Sequence, residues 1–178
     1  ALKNIREACA AAKQHGATGV LLTTWGDFGY HNPFCANLIP LIVAAAEMRG
    51  VKAPETARDF AVVLEEIGFE TGAEAFAEAL VLFGALDDFI AKKITNRSIT
   101  REMFFARGEA FEKVMDGVSA GELDAADGVL AAVRRHFAGV PESVRASQLW
   151  AREFAVALRM TEAALRRAEA FLKNVAAK

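Results

Sequence analysis

Residues 17–33 read Ala-Thr-Gly-Val-Leu-Leu-Thr-Thr-Trp-Gly-Asp-Phe-Gly-Tyr-His-Asn-Pro, and they gather the side chains best suited to gripping a ligand: Trp25, Asp27, Tyr30 and His31. An indole offers a flat apolar face, a carboxylate accepts charge-assisted hydrogen bonds, and an imidazole can donate or accept. Gly26 and Gly29 separate them and let the backbone turn tightly and come close to a bound molecule. Trp25 has two readings, a pocket wall or a core aromatic, and the flanking Gly-Asp-x-Gly favours the pocket because those residues are costly in a core. Asp27 has two as well: ligand contact, or a cap on the helix that begins near Pro33.

Such a loop needs an element to deliver it. Val20, Leu21 and Leu22 form a short apolar run ending at Thr23-Thr24, as expected of a strand buried on both faces, and ligands sit where such strands end. Before it, Leu2, Ile5, Ala8, Cys9 and Ala12 recur at helical spacing, and His15-Gly16 supplies a stop. After it, residues 37–48 make a nearly uncharged helix with Pro40 near its first turn and an end at Arg49-Gly50, which must be buried on most sides. Helix, strand, loop and helix make one α/β unit over residues 1–52. A strand hydrophobic on both faces also needs neighbours for its backbone N–H and C=O groups, and nothing after Gly50 offers one.

From Pro54 the pattern is helical throughout, which predicts a helical domain over residues 53–178. Pro54-Glu55 opens a helix stopped by Gly68, and Gly72 precedes another running to Lys93. Ser98 or Thr100 caps a helix carrying Met103, Phe104, Phe111, Val114 and Met115, and Leu123 to Phe137 make the next. Pro141 begins the longest, whose seam runs Val144, Ser147, Ala151, Phe154, Leu158, Thr161, Leu165, Ala168, Leu172 and Val175, as in a bundle of near-parallel helices. Two polar members, Ser147 and Thr161, weaken a coiled-coil reading. The expected fold is mainly α: one α/β unit from the end of a (β/α)8 barrel, followed by an α-helical bundle.

A small-residue strand running into Thr-x-Trp-Gly-Asp-x-Gly, then His and Asn-Pro and an apolar helix, resembles the last barrel strand of glycoside hydrolase family 20 β-N-acetylhexosaminidases. The match covers roughly the first fifty residues; the helical remainder agrees in architecture only. The resemblance implies that Trp25 walls the pocket around a terminal N-acetyl-hexosamine and that Asp27 accepts hydrogen bonds from the sugar's outer hydroxyls. Tyr30 and His31 would line the same site, although Tyr30 stands between the second glycine and the histidine, and Thr24 replaces an aspartate often found before the tryptophan. In that family the substrate's acetamido group attacks the anomeric carbon, assisted by an adjacent Asp-Glu pair on an earlier strand. No such pair is assigned here: Glu65-Glu66 and Asp87-Asp88 sit in amphipathic helical stretches, where a solvated face is the simpler role. The chain by itself is therefore expected to bind sugar weakly and hydrolyse nothing. It would act with the rest of a barrel.

Composition bounds the other classes. A net charge of -2 with basic and acidic residues interleaved leaves no footprint for nucleic acid. The uncharged run over residues 28–46 is broken by Pro33, Asn37 and Pro40, too short for the ~18 apolar residues of a membrane span. Cys9 and Cys35 lie among alanines in helical stretches, which suits small buried thiols in a reducing, cytoplasmic setting. No metal and no cofactor is expected. His15 and His136 fall near helix ends, where imidazole suits the dipole. Trp150 on the flank of the long helix and the aromatic cluster of Phe104, Phe105 and Phe111 serve packing. The competing reading is a noncatalytic helical module that binds a partner or forms a homodimer.

Overall fold

The computed structural model describes residues 2–23, 34–69, 71–95 and 97–177, and these are mainly helical. Among the described residues nine α-helices follow in chain order: α1 (Leu2–Gln14), α2 (Leu38–Arg49), α3 (Ala57–Glu66), α4 (Ala73–Ala85), α5 (Ile99–Phe105), α6 (Gly108–Met115), α7 (Ala120–Ala138), α8 (Glu142–Ser147) and α9 (Leu149–Ala176). Two 3-10 turns, Phe34–Asn37 and Leu86–Phe89, precede α2 and follow α4. Among the described residues there is no strand; one isolated bridge joins Ile94 to Arg97.

The expected buried strand is not formed. Residues 19–23 carry no regular secondary structure, and Leu21 is 86% exposed. A single apolar run with no partner strand cannot satisfy its backbone groups, so it gains nothing by burial.

Close contacts divide the chain into two compact units, Ala1–Ala77 with Val140–Phe154, and Glu78–Gly139 with Ala155–Lys178. In the first, α1 buries Ile5 and Cys9, and α2 buries Leu38, Ile39, Val43, Ala44 and Ala46, the broad burial expected of an uncharged helix. Gly50 closes α2 at φ 70°, a conformation that costs glycine nothing. Phe69 and Phe76 stack with centroids 4.6 Å apart, and Phe154 meets Phe76 edge-on at 5.6 Å. In the second unit, Ile99, Met103, Leu123, Leu130, Val133 and Leu165 are fully enclosed. The α9 seam holds through Leu158, Thr161, Leu165 and Ala168, then frays to Val175, which is exposed.

Four helix boundaries differ from expectation. α3 starts at Ala57, because Thr56 forms a capping box with Asp59, its hydroxyl accepting the Asp59 N–H while the Asp59 carboxylate accepts the Thr56 N–H. α4 stops at Ala85, short of Lys93. The next turn instead aims the Asp87 carboxylate at the start of α5, where it accepts from Ile99 N–H at 3.2 Å and Thr100 Oγ1–H at 2.9 Å. The helix expected through Met103 and Met115 is two, parted at Ala106-Arg107, with Gly108 at φ 49°. The long helix from Pro141 is also two, parted at Gln148, whose side-chain amide donates to the Gly68 carbonyl at 2.7 Å.

Candidate functional site

Trp25, Asp27, Tyr30 and His31 all lie in 24–33, outside the described residues. Their flanks are defined. α1 precedes and α2 follows, and the two helices are joined across their faces by Arg6 and Glu47 at 3.6 Å. On the approach, Val20 and Leu22 are half-buried on either side of exposed Leu21.

The exit is held more firmly. Phe34–Asn37 turns directly into α2, and Cys35 at its start is fully buried. Its backbone N–H donates to the Glu153 carboxylate on α9 at 3.3 Å, across a separation of 118 residues. A carboxylate at the opening of a helical segment suits both the free N–H groups there and the positive end of the dipole. Burial, and secondarily the Glu153 charge, pushes the Cys35 thiol up to about 12, so it stays protonated and unreactive near neutral pH. Cys9 is likewise buried and unbridged.

Elsewhere the acidic residues serve architecture. Asp87-Asp88 are not mid-helix but in the 3-10 turn: Asp87 caps α5, and Asp88 is exposed beside Lys93 at 4.0 Å. Glu65 and Glu66 end α3 as exposed side chains. Glu102 is nearly enclosed and paired with Arg101 and, at 3.5 Å, with Arg97. His136 is more than a dipole partner: its Nδ1 meets the Glu78 carboxylate, a pairing that spacing alone does not signal. Sequence reasoning also missed Glu153 and Arg167. The first accepts the Cys35 N–H, 118 positions away. The second donates to the carbonyls of Met103 and Ala106 at 2.9 and 2.7 Å.

The second unit carries a shallow groove of about 220 Å³ between the start of α7 and the end of α9, floored by Leu123 and Leu172 and edged by Asp124, Glu169 and Lys173. Its lining is chiefly apolar. Among the described residues no three His, Cys, Asp or Glu side chains converge as a metal site, and no helix is long and apolar enough to cross a membrane. No family model, no characterised protein and no solved structure matches the chain.

Proposed function

We propose that the chain is the C-terminal portion of a glycoside hydrolase acting on terminal N-acetyl-hexosamine residues, in which Trp25 and Asp27, with Tyr30 and His31, contribute to the sugar site while the catalytic acid pair lies on another part of the enzyme. The observation that supports this is the run Thr-x-Trp-Gly-Asp-x-Gly-x-His-Asn-Pro behind an apolar segment, set between two helices that pack on one another. An indole stacks on the C–H face of a pyranose, and a carboxylate takes hydrogen bonds from paired hydroxyls. Under this proposal residues 20–24 become the last strand of a barrel when neighbouring strands are present, and the helical remainder braces that end of the barrel. Reading the gene upstream of Ala1 tests it. Further strand-helix units and an adjacent Asp-Glu pair at a strand end are required, and a gene that starts near Ala1 refutes the enzyme reading.

A second reading, a helical interaction or dimerisation module, draws on the outer face of α9. There Val156, 54% exposed, lies in a row with Ala163 and Ala170, alongside exposed Arg159, Arg166 and Lys173. Light scattering on the isolated chain separates the two: a stable dimer broken by Val156→Asp supports the module, and a monomer removes its basis.

A further inference from the structure

We infer that the outer face of α9 pairs with the same face of a second copy of this chain, the two helices running antiparallel with the two-fold axis at the level of Ala164. The inference rests on the interaction-module reading of this helix and gives that reading its partner and its register. Within the second unit the charges of α9 alternate as Arg159, Glu162, Arg166 and Glu169, stepping by three, four and three, so all four lie along one side of the helix. Arg159 and Arg166 are exposed, and Glu162 and Glu169 are half-buried at the margin of the same face. Reversed end to end, this order becomes its own opposite in sign. Antiparallel pairing about Ala164 therefore sets Arg159 against Glu169 of the second copy and Glu162 against its Arg166, each contact occurring twice, whereas parallel pairing sets every charge against its like. The small residues fit the same register. Val156, 54% exposed, is followed every seven positions by exposed Ala163 and Ala170 beside the charges. About this axis the two Ala163 methyls meet and Val156 lies against Ala170 of the second copy, so no bulky side chain holds the helices apart. Within the chain Glu162 is already held by Arg134 at 3.1 Å and by Arg166 at 2.6 Å. Arg159 and Glu169 have no ion-pair partner among the described residues, and a second copy supplies one to each. Such charges fix orientation more than affinity, and the apolar contact is small, so the dimer is weak and reversible.

Sedimentation equilibrium on the whole chain at up to about 0.1 mM tests this. Arg159→Glu, Glu169→Arg and the double exchange are compared with the unsubstituted chain, and circular dichroism checks that each is folded. Either single exchange is expected to raise the dimer Kd about tenfold or more, because like charges then face each other twice, and the double exchange returns it to within about threefold of the starting value. Ala163→Cys reads the register without altering a charge. Placed beside the axis, it is expected to join two chains by a disulfide under mild oxidation with copper phenanthroline, while buried Cys9 and Cys35 do not compete. A dimer indifferent to both single exchanges, one that the double exchange fails to restore, or one that Ala163→Cys does not cross-link overturns the inference and leaves the dimer reading standing. A chain that stays monomeric at this concentration removes both.

Discussion

The guanidinium of Arg167 lies 3.7 Å from the centre of the Phe111 ring, and so ties α9 to α6. From that position its nitrogens donate to the carbonyls of Met103, Phe104 and Ala106 at 2.9, 3.1 and 2.7 Å, the orphan acceptors at the end of α5. One planar side chain therefore fastens three helices of the second unit. Arg167→Ala is expected to cost about 2–4 kcal/mol, because charged hydrogen bonds and a cation–π contact are lost together and buried carbonyls are left bare. Arg167→Lys recovers less than half, since an ammonium cannot fork to three carbonyls or lie flat on a ring. Urea denaturation of the two variants measures both; equal stability of Lys and wild type would show that charge alone suffices.

Much of this architecture is legible in the sequence. Gly16, Gly50 and Gly68 read as helix stops in the sequence, and all three have positive φ. Ser98, one of the two caps the sequence offers for this stretch, accepts the Arg101 N–H at the start of α5. Apart from the start of α3, which its own Thr56–Asp59 box sets, the misses share a cause. Ala85, Ala106 and Gln148 carry no breaker that a periodic pattern registers, and the helices end there because distant groups capture the chain: Asp87 with the start of α5, Arg167 with the carbonyls at the end of α5, and Gln148 with Gly68. Apolar spacing reports which face is buried, not which remote side chain will claim a carbonyl. The candidate residues were named from their types, and the Cys35–Glu153 hydrogen bond could not be, because nothing in local spacing points 118 positions ahead.

Gly72 and Gly117 share a φ of 78° but not their surroundings. A methyl group at Gly72 would stand 2.8 Å from the Pro141 ring and 3.1 Å from the Val140 backbone, whereas at Gly117 it meets open space. Gly117→Ala is expected to cost roughly 1–2 kcal/mol for the left-handed backbone alone. Gly72→Ala adds roughly 1–3 kcal/mol of overpacking, because backbone and a proline ring cannot swing aside. Thermal unfolding of the pair checks the difference, and equal losses would remove the packing argument.

Acid should loosen the capping boxes. The N–H groups of Ala91 and then Ser119, together with the Ser119 hydroxyl, hold Glu122 below the ordinary carboxylate range, and the Thr56 N–H and hydroxyl with the Glu55 N–H do the same for Asp59. A lowered folded-state pKa means that each carboxylate stabilises the fold above its unfolded value, near pH 4, and that this support fades as pH falls through the folded value. Both groups are exposed, so the effect is small and screened by salt. Stability measured between pH 5 and about 2 should fall less steeply in Glu122→Gln than in wild type; parallel curves would deny the carboxylate its part.

The proposal that Trp25 and Asp27 serve a carbohydrate meets its most direct test in the rate at which the longer enzyme that the proposal requires hydrolyses an aryl N-acetyl-glucosaminide. With Asp27→Ala, removal of a charge-assisted hydrogen bond to the sugar predicts a fall in kcat/KM of about tenfold or more. A kcat/KM equal to that of the unsubstituted enzyme would contradict it.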